Sequence, residues 1–226
     1  MQTPAPLAGE LPDLGLMRAP SLAEQAADAI VDHVASGALQ PGQRLVESDL
    51  AASMNMSRVP LREALKILEV QGIVESEQHK GTRVARFDAS RMRHGSEVRV
   101  ALERLAFRDA AAVYLADQGR VAVLDRLIAR MGRAAEQMEW LDISRIDLAF
   151  HREVVRASGN FIVRTLWESL SRHILIQFGY EIRDEQDAEV FVPQHRRLRE
   201  LLAAGDAAAL HSEVESHILR FQRKSG

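Results

Sequence analysis

Residues 44–72, RLVESDLAASMNMSRVPLREALKILEVQG, have to hold two helices with almost no chain between them. A first short helix is predicted from about Glu47 to Met54. Asn55 follows, where a tight helix-to-helix turn needs a left-handed residue, a conformation that asparagine tolerates better than most. Ser57 then takes the cap position of a second helix. Pro60 is acceptable there because it lies in the first turn, whose N–H groups have no helical acceptor. Leu61, Ala64, Leu65 and Leu68 recur at i, i+3, i+4 and i+7, so this face packs inward. Arg58, Arg62 and Lys66 step by four along an outward face.

The flanking segments complete a recognisable outline. Ser21 caps an earlier helix, with Glu24 completing a capping box and Leu22, Ala26, Ala29, Ile30 and Val34 forming the apolar stripe. Gly37 and Pro41-Gly42 end it. Beyond Gly72, Ile73–Glu77 and Thr82–Arg86 read as two short strands around a His79-Lys80-Gly81 turn. Three helices and a hairpin make a winged helix-turn-helix over residues 19–87. Residues 1–18, with Pro4, Pro6 and Pro12, are expected to be a disordered arm, and residues 88–95 a linker. Residues 96–226 then show only helical period, in segments near 96–118, 121–139, 143–157, 161–179, 187–204 and 206–223. Gly159-Asn160 and Ala204-Gly205-Asp206 break them. The expected fold is mainly α: an N-terminal winged helix-turn-helix followed by an all-α antiparallel helical bundle.

Charge does not by itself point to nucleic acid. Residues 19–88 carry seven Lys/Arg against ten Asp/Glu, and residues 89–226 carry 21 against 20. DNA binding must therefore rest on local clusters: Arg58, Arg62 and Lys66 against Glu63 alone, and Lys80, Arg83 and Arg86 with no acid between Gln78 and Arg86. The chain has no cysteine, so disulfides and thiolate metal sites are excluded and any metal must be held by His, Asp or Glu. No apolar run of about 18 residues marks a membrane span, and no basic segment followed by an apolar core marks a secretory signal. A cytoplasmic protein without membrane partners is expected.

A recognition helix places its N-terminal residues against base edges in the major groove, where an arginine can form a bidentate pair with guanine. Ser57, beside free backbone N–H groups, can hold a phosphate. Lys80 and Gly81 at the wing tip would let the backbone approach the minor groove. The run SRVPLREALKILEVQG and the downstream HKGTRV resemble the signature of GntR-type transcription regulators. The all-helical second half resembles the ligand-binding (FCD) domain of their FadR-like branch, so the likeness covers roughly residues 20–225. It implies a homodimer on double-stranded operator DNA, more often a repressor than an activator. Ser57, Arg58, Val59, Arg62, Lys80 and Gly81 would be at the DNA. Ser48 departs from relatives that carry an arginine there, and that contact is not carried over.

Asp147 and His151 stand four apart and share a helix face. His195 and His217 lie ten and twelve residues from Gly205, on helices that fold back on each other there, so they become neighbours. One carboxylate and three imidazoles suit a divalent transition metal: zinc, nickel, manganese or iron. His33, His79, His94, His173 and His211 fit no ligand spacing. The arrangement resembles the metal-binding subset of FCD domains, which implies a metal inside the bundle that helps to hold a small carboxylate effector. The resemblance also places Arg99 where it can face that carboxylate, and Asn160 near the pocket, although capping of the helix that starts at Phe161 accounts for Asn160 as well. Two alternatives remain at this point. One is a regulator that responds to the metal ion itself. The other is a metallohydrolase fused to a DNA-binding domain, for which no HExxH or comparable motif supplies a general base.

Overall fold

The computed structural model describes residues 20–77, 81–183 and 190–220. Helix α1, Leu22–Ala35, opens with the expected capping box: Glu24 N–H donates to the Ser21 hydroxyl and Ser21 N–H donates to the Glu24 carboxylate. Strand β1, Arg44–Leu45, precedes α2, Glu47–Ser53. Asn55 makes the turn with φ +49°, and α3, Arg58–Val70, follows. Gly72, at φ +69°, stops α3 and starts the hairpin of β2, Val74–Glu77, and β3, Gly81–Val84.

The sheet has three strands in the order β1-β3-β2, all antiparallel. Sequence reading predicted only the hairpin. β1 is two residues long and shows no alternation of its own; it exists because Arg44 and Leu45 pair with Arg83 and Thr82 some forty positions later. Leu61, Ala64, Leu65 and Leu68 of α3 are buried against Ala27, Ile30 and Val34 of α1, with Ile73 and Val84 closing the core from the wing. Each large side chain so buried contributes about 1.5–3 kcal/mol.

Residues 88–95 are not a loose linker. The Asp88 carboxylate accepts from Arg91 N–H at 2.8 Å and caps α4, which runs unbroken over Ala89–Ala116. Helices α5 (Gln118–Glu136), α6 (Trp140–Ala157), α7 (Phe161–Arg183), α8 (Phe191–Ala204) and α9 (Ala207–Ile218) complete the bundle. Their breaks have local causes. Asp117 caps α5, the Asn160 side-chain oxygen accepts from Val163 N–H, Gly205 takes φ +68°, and Asp206 caps α9. None of the described helices is long and apolar enough to cross a membrane.

The two halves are docked on each other. Arg145 of α6 reaches Asp32 at 2.6 Å and Arg172 of α7 reaches Asp28 at 2.9 Å, both on α1. Arg91 of α4 donates to the Gly72 carbonyl at 2.5 Å. Trp167 and Ile174 of α7 belong to the same buried apolar cluster as the core of the winged helix.

Candidate nucleic-acid interface and metal centre

The first turns of α3 carry the expected reading face. Ser57, Arg58, Val59, Arg62 and Lys66 are all exposed, with Val59 at 67 %. Ser57 holds the cap position, at φ −75° and ψ 161°, but its hydroxyl makes no cap hydrogen bond. The expectation that it caps α3 is corrected in that respect. Pro60 three residues on removes one of the N–H groups a cap would serve, and the hydroxyl stays available for a phosphate. Arg62 Nε lies 2.7 Å from Glu47, both of them solvated. Exposed pairs of this kind contribute about 0–1 kcal/mol, little enough for a base edge to displace.

At the wing, Gly81 is exposed with φ +79°, a conformation that favours glycine. Lys80 and the turn residue His79 lie outside the described residues, as does the arm over residues 1–18. The Arg44 side chain lies about one van der Waals contact from Gly81, 3.5 Å from where a Cβ would stand. Sequence reasoning missed this cation, because only the pairing of β1 with β3 brings it to the wing.

The second site is wholly internal. Asp147 and His151 on α6, His195 on α8 and His217 on α9 are each at most 3 % exposed. One ligand atom from each lies within 4.8 Å of all the others. His151 Nε2 is 3.1 Å from His217 Nε2. Asp147 Oδ1 is 3.1 Å from His195 Nε2 and 3.9 Å from both His151 Nε2 and His217 Nε2. The 3.1 Å approach of Asp147 Oδ1 and His195 Nε2 is bent, and neither atom forms a well-aligned hydrogen bond. His151 Nε2 and His217 Nε2 share a hydrogen bond, but Asp147 Oδ1 and His195 Nε2 are left unsatisfied, which is costly in a protein interior. A shared cation would satisfy all four, so the donor set fits a divalent transition metal.

Protonation favours the same use. Burial pushes His217 well below the usual imidazole range, assisted by the nearby Arg220 guanidinium, and burial likewise lowers His195. Both rings are therefore neutral at pH 7, with a lone pair to donate. Burial alone would raise Asp147, but His151, His195 and Arg99 outweigh it and hold the carboxylate well below its ordinary value.

Around the cluster lies a second layer. His195 Nδ1 donates to the Phe191 carbonyl at 2.8 Å. Arg99 Nε donates to Glu103 Oε1 at 2.8 Å, and Arg99 Nη2 reaches Asp147 Oδ2 at 3.4 Å. Glu103 Oε2 stands 2.6 Å from His151 Nδ1. Despite complete burial, the Arg99 guanidinium, His151 and the Trp167 indole bring Glu103 down to about 2. Thus Arg99 does reach the cluster, with two carboxylates as partners. Asn160 stands elsewhere: its amide serves Val163 at the start of α7 and Asp109 at 3.2 Å. Glu103 was not foreseen, since a lone glutamate on a helix reads as a solvated charge.

Comparison with known proteins agrees with both halves. Bacterial regulatory proteins of the gntR family match residues 22–84, and the FCD domain matches residues 95–220. An uncharacterized HTH-type transcriptional regulator in an unstable DNA locus of Streptomyces ambofaciens is 32 % identical over 180 residues, 80 % of this chain and 75 % of that protein. A probable D-xylose utilization operon transcriptional repressor of Paenarthrobacter nicotinovorans is 30 % identical over 204 residues, 89 % of this chain and 87 % of that protein. Among solved structures, E. coli McbR/YncC superposes with a TM-score of 0.76 over 91 % of this chain and 99 % of its own, at 21 % identity, a likeness of fold.

Proposed function

Since the chain belongs to the gntR family of bacterial transcription regulators and carries an FCD domain, we propose that it is a cytoplasmic, homodimeric repressor whose operator affinity is set by a small carboxylate bound at a metal ion in the helical domain. The observation that carries this reading is the convergence of Asp147, His151, His195 and His217, all buried, within 4.8 Å. Those four residues would hold the ion, with zinc first among zinc, nickel, manganese and iron. A bound ion supplies Lewis acidity toward an oxygen donor.

Charge supports an anionic effector. Asp147 and Glu103 against Arg99 leave a single negative charge at the cluster, and Glu181 and Arg220, whose charges are felt there, add one of each sign. A divalent cation would turn the site net positive in a dry interior, where an unbalanced charge is expensive. A carboxylate would restore balance. Arg99, already aimed at Asp147, is the side chain proposed to meet its far oxygen. Asn160, occupied at its cap, is left out of that set.

A homodimer also has a surface to form on. Helices α4 and α7 run antiparallel, since Asn160 meets Asp109, Trp167 meets Glu103 and Gln177 meets Ser96. That register brings exposed Leu105 of α4 level with exposed Ile162 and Leu166 of α7, with exposed Val98 two turns further along α4. Contiguous exposed apolar patches on a soluble protein mark interaction sites. DNA contact would fall to Ser57, Arg58, Val59, Arg62, Gly81 and Lys80.

Metal analysis and operator titration test the reading. Purified protein should hold about one transition-metal ion per chain, and His195→Ala or His217→Ala should lose it while His173→Ala should not. Operator binding is then followed by anisotropy of labelled DNA, with metal alone and with metal plus hydroxy-, keto- and dicarboxylic acids. A carboxylate should weaken binding about 5- to 150-fold, the usual range of allosteric coupling. The same weakening by metal alone would replace this reading with a metal-ion-responsive regulator. No response of metal-loaded protein to any acid would refute the carboxylate.

A further inference from the structure

We propose that Glu103 is the positioning residue of the metal centre: its carboxylate fixes the tautomer and the aim of His151. The inference rests on reading the Asp147, His151, His195 and His217 cluster as a metal centre.

Glu103 is fully buried in the middle of α4. A buried carboxylate is tolerated only when several partners compensate it. Here Oε1 accepts from Arg99 Nε at 2.8 Å and from Trp167 Nε1 at 2.9 Å. Those two donors, from α4 and α7, clamp the side chain and leave Oε2 2.6 Å from His151 Nδ1, in contact although off the axis of a well-aligned hydrogen bond. Two bare acceptors at that separation would repel, so one of the two atoms carries a proton. With the carboxylate as acceptor, the proton is on Nδ1.

A neutral imidazole has one N–H and one lone pair. A proton on Nδ1 puts the lone pair on Nε2, and Nε2 is the atom that faces His217 at 3.1 Å and Asp147 at 3.9 Å. The reversed ring would set carbon atoms against both the carboxylate and the cluster. His195 is fixed in the same sense by a different device, with Nδ1 on the Phe191 carbonyl. Outer partners of this kind orient a ligand ring and raise its basicity, and their loss costs about 10- to 100-fold in metal affinity. A carboxylate does so more strongly than a carbonyl, because it is charged.

Zinc alone is the probe, and competition with a chelator reads its affinity. Glu103→Gln keeps the shape and the acceptor for Arg99 and Trp167, but turns an amide NH2 toward His151 Nδ1. That donor calls for a bare Nδ1 and a proton on Nε2, the tautomer that cannot ligate. Zinc affinity should therefore fall about 10- to 100-fold, with circular dichroism and gel filtration unchanged. Equal affinity in wild type and variant would overturn the inference and leave the metal centre standing. Wild-type protein that takes up no zinc would remove both. Should Glu103→Gln fail to fold, long-range proton–nitrogen spectra of zinc-loaded wild type decide: His151 protonated on Nδ1 and ligating through Nε2 is expected, and ligation through Nδ1 would overturn it.

Discussion

Gly179 and Gly132 are both helical glycines, and the structure sets opposite outcomes for changing each to alanine. A Cβ on Gly179 would lie 2.5 Å from the Ala35 carbonyl oxygen and 3.0 Å from both Ala35 C and Ala35 Cβ. These belong to the last turn of α1, so no flexible side chain can swing aside and the two helices must separate. A Cβ on Gly132 would meet nothing nearer than Val192 Cγ2 at 3.8 Å, an ordinary contact. Replacing glycine by alanine inside a helix gains about 0.8–1 kcal/mol in propensity. Overpacking costs about 1–3 kcal/mol. Gly132→Ala keeps the gain alone, whereas Gly179→Ala is expected to lose a net amount of about 1 kcal/mol. In a chain of this size 1 kcal/mol shifts the melting temperature by about 2–4 °C. Calorimetry or circular dichroism should therefore separate the two variants by about 4–8 °C, one above wild type and one below. The Gly179→Ala penalty falls on the contact between α1 and α7, so this variant should also change operator affinity while Gly132→Ala leaves it alone. If both variants raised the melting temperature equally, α1 and α7 would not be in contact in solution, and the docking described above would be wrong.

Two further outcomes follow from the geometry. Arg58→Ala and Arg62→Ala should each cost about 1–3 kcal/mol of preference for operator over unrelated DNA without changing the melting temperature, measured by competition anisotropy; an Arg62→Ala protein with wild-type preference would remove Arg62 from the base-reading set. Metal-free protein should lose stability on acidification: His195 and His217 titrate below their unfolded value of about 6.5, so the stabilisation is complete above about pH 6.5 and declines as pH falls, because the unfolded state then binds more protons. Asp147 and Glu103, also lowered, add losses of the same sign below about pH 4. A melting temperature of chelated protein that rises between pH 7.5 and 5.5 would contradict neutral buried imidazoles.

What the sequence disclosed was local or symmetric about a local feature. The Ser21/Glu24 box, the left-handed Asn55 and the i, i+4 pair Asp147/His151 each depend on a few neighbouring residues. His195 and His217 were found because Gly205 folds two helices back at a known point, and their rings indeed lie 4.7 Å apart. Harder to see were features that depend on distant partners. β1 is a strand only because β3 passes beside it. Glu103 is buried only because Arg99, His151 and Trp167 surround it. The stretch 88–95 looked like a linker because its residues are mostly polar and include Gly95. Polarity there reflects one solvated face, while Ser96, Arg99 and Val100 just beyond are buried and anchor the helix.

A helix that starts at Ala89, in place of a linker, changes how a signal could travel. A flexible linker would let the bundle repack without moving the winged helix. Instead, α4 starts four residues after β3 and carries Arg91, on Gly72, as well as Arg99 and Glu103 in the buried cluster. Helix α6 carries Arg145, on Asp32 of α1, two positions before Asp147. Helix α7 carries Trp167, on Glu103, five residues before Arg172, on Asp28. Each of these three helices therefore touches the cluster, or the residue behind it, and also the DNA-binding half. His195 and His217 arrive on α8 and α9, which add ligands from the far side of the bundle. Asp147, His151, His195 and His217 would hold an ion between α6, α8 and α9, while Arg99 and Glu103 tie α4 to the same point. Helices are stiff over such lengths, so small rearrangements at the cluster would become rigid-body shifts of α1 and of the turn at Gly72. Two half-sites lie a fixed distance apart on DNA. In a dimer, even a small tilt of each winged helix changes the spacing of the two α3 helices, and that change is what DNA would read.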